Sequence, residues 1–279
     1  MAEKETKNKP KDLIEPTPEE VEKLDLEKAI APEILESPIQ EELAKKRLTK
    51  AESRAAFEAE AQKKSLDSWV PKTKIGKLVK EGKEKNIDSI LASGRKILEA
   101  EIVSSLLHLD SDLLLIGQAK GKFGGGKRRA WRQTQRKTME GNVVTFSCMA
   151  VVGDKKGHIG IGYGKAKETL PAREKALRNA KLNIIKVTLG YENPEEKMSG
   201  NEPHTTPFVV EGKCGSVRIK LIPAPRGTGL VIGDECKKIL RLAGIKDIYV
   251  ITKGQTRTTF NVAKACINAL NKTNLSISR

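Results

Sequence analysis

The residues best suited to bind a charged ligand are concentrated in one short segment, GKFGGGKRRAWRQTQRK, at positions 121–137. It contains seven Lys or Arg, four Gly and one Trp, and no Asp or Glu. Guanidinium and ammonium groups bind phosphates, and glycine lets a backbone approach them closely. Three interpretations compete: a nucleotide-binding phosphate loop, an unspecific basic linker, and a segment that enters folded nucleic acid.

The segment lacks the magnesium-binding hydroxyl that a phosphate loop requires. GKFGGGKR matches the glycine and lysine positions of the motif, but Arg128 stands where a Ser or Thr must hold the ion. GIGYGKA, further along the chain, has Ala166 at the equivalent position. A nucleotide-using enzyme is therefore the weakest hypothesis.

Other catalytic chemistry has equally little support in the sequence. His108, His158 and His204 are isolated, and no Ser-His-Asp or Cys-His arrangement stands out. The four cysteines form no CxxC pair, so we expect buried, reduced thiols. Asp234 and Glu235 are explained by negative charge in the first turn of a helix. These residues predict neither a catalytic site nor a metal site.

The charge distribution predicts a polyanionic partner. The 279 residues include 52 Lys and Arg against 36 Asp and Glu, a net charge of +16. Residues 1–66 hold 13 basic and 16 acidic side chains, whereas residues 67–279 hold 39 and 20. The basic surface therefore lies after residue 66, and Lys and Arg there can neutralise nucleic-acid phosphates.

A membrane surface is the less favoured polyanion. It would need an amphipathic helix with bulky apolar residues, which is absent. No apolar run approaches 18 residues, and the N-terminal stretch lacks the apolar centre of a signal peptide. Trp131, in contrast, is suited to stacking on a base or ribose.

The elements around the basic segment indicate an α+β chain. Residues 1–66 read as a charged extension that is helix-prone or disordered, and residues 67–120 as a helical lead-in module. Leu98, Ile102 and Leu106 lie near helical spacing there. A short strand is expected in DLLLIGQAK, directly before the basic segment.

The clearest β signal is a hairpin after residue 142. VVTFSCMAVVG and HIGIGYG flank the turn sequence GDKKG. Glycine at alternate positions of the second strand predicts that a backbone or a ligand approaches it closely. A helix capped by Thr169 should follow, with Ala176, Leu177 and Ala180 on one face.

A second β-β-α-β-α module is expected after a loop or linker at residues 191–207. Its second strand alternates Val217, Ile219 and Leu221 with basic residues. PAPRGTG reads as irregular chain before a helix that begins at Asp234 and ends before Gly244. A closing helix should bury one stripe of its residues, formed by Phe260, Ala263, Ile267 and Leu270.

Several long motifs, in order along the chain, resemble the universal small-subunit ribosomal protein S-five family, whose eukaryotic counterpart is ribosomal protein S-two. They are WVPKTKIGKLVKEG, VVGDKKGHIGIGYGKAKE, AKLNIIKV, GKCGSVRIKLIPAPRGTGLV, LAGIKDIYV and TRTTFNVAKA. GDECKKILRLAGIKD is more typical of archaeal than of eukaryotic members. The resemblance runs from about residue 67 to the C-terminus.

The resemblance implies a fold. Residues 121–192 would form a double-stranded-RNA-binding-like domain of a β-hairpin and helix, with the basic segment as a loop at 121–142. Residues 203–279 would form a C-terminal α+β domain with a left-handed crossover, against the usual handedness rule.

It also implies a function: a structural constituent of the small ribosomal subunit that is not an enzyme, needs no cofactor and stays in the cytoplasm. Such a protein would bind small-subunit rRNA near the entrance of the mRNA channel and support assembly, decoding accuracy and mRNA handling. Its protein partners would be S-four and, in many ribosomes, S-three and S-eight.

Two groups of site residues follow from the charge pattern and the resemblance. The expected RNA-binding residues are Lys122, Lys127, Arg128, Arg129, Trp131, Arg132, Arg136, Lys137, Lys155, Lys156, Lys165 and Lys167. The expected protein-interface residues are Arg226, Gly227, Gly229, Lys237 and Lys238. An RNA-binding or RNA-chaperone module outside the ribosome is the alternative, and co-sedimentation with small subunits in high salt would separate the two.

Overall fold

The computed structural model describes residue 66 and the ranges 68–119, 128–193 and 202–275. The chain divides into two compact units, residues 1–67 and 68–279, and all helices and strands from Lys74 onward belong to the second. Except for Leu66, the predicted N-terminal extension lies outside the described residues, as do Lys122 and Lys127. Within the described part, no helix is long and apolar enough to cross a membrane.

Three short helices form the lead-in: α1 Lys74–Lys80, α2 Ile87–Ala92 and α3 Ala100–Leu106. Glu99 ties their start together, because its carboxylate accepts the Trp69 indole N–H at 2.9 Å and the Thr73 backbone N–H at 2.7 Å. The module packs on the rest of the unit through a shared apolar cluster that includes Ile102 and Val152. The predicted helical stripe is wrong at Leu98, which precedes α3 and is exposed.

A five-stranded antiparallel sheet follows, made of β1 Asp110–Leu113, β2 Trp131–Thr138, β3 Gly141–Gly153, β4 His158–Ala166 and β5 Ile184–Lys186. Its order is β1-β3-β4-β5, and β2 also pairs with β3. The long strand β3 is shared, since β2 pairs with residues 141–148 and β1 with residues 150–153. Helix α4, Thr169–Leu182, begins three residues after β4.

The alternating glycines of β4 are explained by helix α4. A Cβ on Gly160, Gly162 or Gly164 would overlap the backbone of α4, and the overlapped turns carry three fully buried alanines, Ala172, Ala176 and Ala180. The sequence left open whether a backbone or a ligand lies close to β4, and the structure shows that it is the backbone of α4. The predicted Thr169 cap is wrong by one residue, because Glu168 is the N-cap and makes no side-chain cap bond.

The predicted basic loop 121–142 is wrong over its second half, because Trp131–Thr138 is the strand β2. The periodicity of apolar residues gave no sign of it, since β2 buries neither face. Its stability comes from the backbone ladder to β3, which pairs eight residues in unbroken register. The stability of such a strand depends on its partner strand, and its sequence shows no alternation of apolar and polar residues.

The second sheet contains β6 Val210–Cys214, β7 Val217–Pro223, β8 Leu230–Val231 and β9 Ile248–Lys253. Its order is β6-β7-β9-β8, and β8 and β9 are parallel neighbours joined through helix α5, Asp234–Ala243. The two-residue strand β8 lies just after the PAPRGTG segment and was not predicted. Helix α6, Thr259–Leu275, ends the described chain.

The main core lies between the two sheets. Val217, Ile219 and Leu221 are buried on one face of β7, as their alternation predicts. They share a cluster with residues of α5 and α6 and with Met149 and Ile159 of the first sheet. The structure therefore confirms a mixed α and β fold with two sheets, and the α6 stripe that contains Ala263 and Leu270 is buried as predicted.

The loop or linker predicted at residues 191–207 is irregular chain where it is described, but its C-terminal end is buried rather than exposed. His204, Thr205 and Thr206 are buried, and Thr205 pairs with Gly190 in an isolated β-bridge. The His204 carbonyl accepts the N–H of Lys246 at 2.9 Å. The polar composition of this segment gave no sign of its burial, because the segment is held by backbone hydrogen bonds to residues distant in the chain.

Candidate nucleic-acid interface

A row of cations crosses the first sheet near the start of β2. Arg132 lies opposite Ser147, which lies opposite Lys165 on the next strand. Residues directly opposite in an antiparallel sheet share a face, so these three side chains point the same way. Ser147 is small and buried, while both cations are exposed. The row therefore presents two positive charges across a gap of two strand spacings, about 10 Å.

The other predicted residues of β2 are divided between its two faces. Arg136 shares the face of Arg132, with Thr134 between them bonded to the Thr145 hydroxyl at 2.8 Å. Trp131 and Lys137 lie on the opposite face, which is the α4 side of the sheet. Trp131 is 38% exposed, enough to contact a ligand along one edge.

The base of this hairpin is fixed by contacts on both sides. The Arg129 carbonyl accepts the Gly117 N–H at 2.9 Å, and Arg128 forms a β-bridge with Ala119. The Arg128 guanidinium also donates to the Thr259 hydroxyl at the start of α6, at 3.4 Å. The side chains of Arg128 and Arg129 are exposed. We call residues 129–148, which comprise the base of the hairpin, β2, its turn and the part of β3 that pairs with β2, the hairpin arm.

Lys155 and Lys156 are not part of this group. They occupy the turn between β3 and β4, six or more residues along β3 from the Arg132 row, or about 20 Å away. Lys155 forms an ion pair with Asp110 at 2.6 Å. Lys167, in contrast, follows the end of β4 and lies near Lys165. The structure thus brings together most of the predicted RNA-binding residues and separates these two.

The predicted protein-interface residues have mixed surroundings. Gly227 and Gly229 have positive φ angles of 83° and 71°, and a Cβ on either would meet only open space. Lys237 lies 3.7 Å from Asp234 and lines an open cavity of about 540 Å³ that Lys155 also lines.

Two members of that group make intramolecular bonds. Arg226 donates to the Glu202 carbonyl at 2.8 Å. Lys238 donates to the Leu113 carbonyl at 2.8 Å and lies 3.4 Å from Asp112, so it fastens α5 to β1. Lys238 is therefore a structural residue within the fold. Glu235 acts similarly by accepting the Leu115 N–H at 2.7 Å, a role that the sequence did not indicate.

His158, predicted to be isolated, lies between two carboxylates. Its Nδ1 is 2.6 Å from Asp154 and its Nε2 is 2.9 Å from Asp88, which also accepts a bond from Lys186 at 2.8 Å. The hydrogen bond to Asp154 raises the pKa of His158 and outweighs burial, and Asp88 adds to the effect. Asp154, four residues before His158, could have been noticed in the sequence. Asp88, seventy residues away, gave no signal.

Burial opposes ionisation of both carboxylates, but their partners outweigh it. Hydrogen bonds from His158 and from the Lys156 backbone lower the pKa of Asp154. Hydrogen bonds from Lys186 and His158 lower the pKa of Asp88. The cluster is therefore an ion-pair network that joins α2 to the turn between β3 and β4.

The cysteines are free thiols, and three of the four are buried. Contact with Cys236, together with burial, raises the pKa of Cys266 well above its ordinary value. In the described ranges, no three His, Cys, Asp or Glu residues are grouped so that they could hold a metal ion.

Comparison with known proteins gives a consistent result. Residues 129–188 match the N-terminal domain of ribosomal protein S5, and residues 212–276 match its C-terminal domain. The small ribosomal subunit protein uS5 of Nanoarchaeum equitans (strain Kin4-M) is 48% identical over 209 residues, 75% of this chain and 89% of the relative.

The chain belongs to the ribosomal protein S5 family. Further uS5 relatives are those of Aeropyrum pernix, 45% identical over 215 residues (77% of this chain, 91% of the relative), and Methanococcus maripaludis (strain C6), 42% identical over 225 residues (80% and 91%). These archaeal relatives confirm the resemblance and its archaeal type. Ribosomal protein S5 proteins are structural components rather than enzymes.

The hairpin arm falls within the S5 N-terminal match, which begins at Arg129 and includes all of β2. As a member of this family, the chain is a structural ribosomal constituent.

Proposed function

We propose that the hairpin arm and the adjoining end of β4 bind phosphates of small-subunit rRNA. One observation carries the proposal: six exposed cations gather here and none forms an ion pair with a carboxylate of the described residues. They are Arg129, Arg132, Arg136, Lys137, Lys165 and Lys167. Elsewhere on the surface, cations such as Lys155, Lys186 and Lys220 lie beside carboxylates. Unpaired cations on a projecting hairpin favour contact with a polyanion.

The remaining predicted RNA-binding residues belong to the same proposal. Lys122 and Lys127 precede the hairpin arm directly in the sequence, and Arg128 lies at its base. Trp131 would contact a base or ribose from the α4 side. Lys155 and Lys156 would form a second, smaller contact at the far end of the sheet.

The finer roles belong to the same proposal. The protein would lie in the cytoplasm within the small subunit, near the entrance of the mRNA channel, and would support assembly, decoding accuracy and mRNA handling. Residues 121–192 would act as a double-stranded-RNA-binding-like domain, residues 203–279 as an α+β domain with a left-handed crossover between β8 and β9, and residues 1–66 and 67–120 as extension and lead-in. S-four, S-three and S-eight are the proposed protein neighbours.

The test is the salt dependence of RNA binding. The variant Arg129→Ala, Arg132→Ala, Arg136→Ala should lower the slope of log affinity against log salt by roughly 2 to 3 units on a small-subunit rRNA fragment. Replacing Lys74, Lys77 and Lys85 by Gln removes the same charge from exposed positions of the lead-in and should leave the slope nearly unchanged. Equal slopes for the wild type and the arm variant would refute the proposed site.

The proposed contact with S-four has its own test. Lys237→Glu breaks a surface ion pair with Asp234 at 3.7 Å and adds negative charge to the first turn of a helix, where it is favourable, so the fold should tolerate it. We expect altered miscoding in ribosomes that carry this variant. Gly227 is a poorer position to change, because its φ of 83° would strain any other residue. Normal miscoding together with normal assembly would argue against the contact.

A further inference from the structure

One face of the four-stranded sheet is not covered by a described helix. Helices α5 and α6 pack on the face that bears Val217, Ile219 and Leu221. The opposite face, which we call the outer face, is formed by residues that alternate with these along the strands. It consists of Glu211, Lys213, Arg218, Lys220, Ile222, Val231, Tyr249, Ile251 and Lys253.

Three cations form one row across the outer face. Lys213 of β6 lies opposite Arg218 of β7, which lies opposite Lys253 of β9. All three side chains are exposed, and within the described ranges no carboxylate forms an ion pair with any of them. Like charges directly opposite one another destabilise a sheet. A row of three is therefore unfavourable by itself and becomes favourable when an anion is bound.

The next rows of the outer face change from charged to apolar. Lys220 lies 3.4 Å from Glu211, and Ile251 beside it is 46% exposed. Further along, Tyr249 lies opposite Val231, and these two side chains are 42% and 49% exposed. Tyr249 is four residues from Lys253, or about 13 Å along the strand. The outer face thus offers cations at one end and an exposed aromatic ring at the other.

We infer that the outer face is a second RNA-binding surface and that it takes single-stranded RNA. The cation row would bind phosphates, and Tyr249 with its aliphatic neighbours would support an unpaired base. The bases of a duplex are paired and stacked, so they cannot reach the sheet face, whereas the unpaired bases of a single strand can contact the Tyr249 ring. An open cavity of about 400 Å³ over Arg218, Lys220 and Ile251 provides space beside the row. The inference rests on the proposed function in taking RNA as the partner.

The first experiment removes the cation row from the full-length chain. The variant Lys213→Gln, Arg218→Gln, Lys253→Gln should reduce the salt slope of binding to a labelled single-stranded oligouridylate by about 2 units. Its melting temperature should be equal to or above that of the wild type, because the substitutions remove a repulsion. The lead-in control, with Lys74, Lys77 and Lys85 changed to Gln, should keep the wild-type slope.

The second experiment tests the aromatic contact. Tyr249→Ala should weaken oligouridylate binding about 5- to 150-fold, the range found for loss of one stacked base. Tyr249→Phe retains the ring and should bind as the wild type does. Loss of affinity in both variants would contradict stacking, as would full affinity in Tyr249→Ala.

The outcomes separate this inference from the proposed function. If the hairpin-arm variant loses slope on the rRNA fragment while the cation-row variant matches the wild type on oligouridylate, the second surface does not exist and the proposed function stands. If the cation-row variant binds oligouridylate normally but no longer joins small subunits, the outer face binds protein and the inference is wrong. If the cation-row variant loses salt slope and the hairpin-arm variant keeps the wild-type slope, the inference holds and the proposed site on the arm is refuted.

Discussion

At the scale of single residues, glycine decides how closely helix α4 approaches the first sheet. Gly162 has the helix backbone at Ala176 and Ala180 directly above it, so even a methyl group has no space. The alanines of α4 complete the arrangement, because a larger side chain there would hold the helix away from the sheet. This close packing positions the end of β4, where Lys165 lies beside the hairpin arm.

Gly162→Ala should therefore destabilise the protein by about 1–3 kcal/mol or more, since overpacking against backbone cannot be relieved by a rotamer change. Urea unfolding at equilibrium measures the loss. Gly233→Ala is the matched control, because a Cβ at Gly233 meets nothing within 4 Å and its φ is −63°. A control that loses as much stability as Gly162→Ala would show that the overlap is not the cause.

At the scale of elements, two sets of polar contacts hold the first sheet and its neighbours together. The ion-pair network of His158, Asp154 and Asp88 joins α2 to the turn between β3 and β4. The backbone ladder between β2 and β3 holds the basic residues in a hairpin. Neither contact involves much apolar burial, which distinguishes both from the packing of α4.

Stability should consequently depend on pH through His158. Its pKa is raised above 6.5, so its contribution is complete below 6.5 and is lost as pH rises through the raised value. The carboxylates of Asp154 and Asp88 have pKa values lowered from 3.8, so their contribution is present above 3.8 and is lost as pH falls through the lowered values. Urea midpoints measured between pH 2 and pH 9 should fall as pH rises above 6.5 and again as pH falls below 3.8.

Asp88→Asn tests the assignment of the alkaline loss. The variant should be less stable than the wild type near pH 6, and the difference should shrink as His158 loses its proton. A constant difference between Asp88→Asn and the wild type at every pH would contradict the network.

The hairpin arm should also be ordered in the free protein. Amides of β2 that donate to β3 should exchange with solvent more slowly than those of an unstructured peptide, because a paired amide must open before it exchanges. Met139 and Glu140 in the turn should exchange quickly and serve as the internal control. Hydrogen exchange followed by mass spectrometry provides the measurement. Unprotected exchange throughout Trp131–Thr138 would restore the interpretation of this segment as a loop.

At the scale of the whole molecule, the sequence predicts an element best where one buried face produces a regular repeat of apolar residues. The alternation of Val217, Ile219 and Leu221 and the turn GDKKG predict their strands correctly. Strand β2 could not be predicted because it is polar on both faces. The His158 network could not be predicted because Asp88 is distant in the chain. The cation row required the register of three strands, which no local pattern contains. The sequence drew attention to the basic residues of the candidate interface, but it did not predict that Arg132, Arg136 and Lys137 lie on a strand.

The second compact unit, residues 68–279, should fold without the extension. It contains its own cores, and Trp69 near its start is bonded to Glu99. A chain that begins at Ser68 should melt within roughly 10 °C of the full-length protein, given about 2–4 °C per kcal/mol at this size. A chain that begins at Thr73 loses Trp69 and should melt lower than the one that begins at Ser68. A larger fall on removing residues 1–67 alone would show that the extension stabilises the core.

The central claim is that the hairpin arm and the end of β4 contact rRNA phosphates in the small subunit. An electron cryomicroscopy map of the small subunit that contains this protein tests it most directly. We predict that Arg132 and Lys165 have nitrogen atoms about 2.7–2.9 Å from phosphate oxygens of the RNA, the length of a charge-assisted hydrogen bond. A map in which both side chains face solvent or another protein, with the RNA bound elsewhere on the chain, would contradict the account.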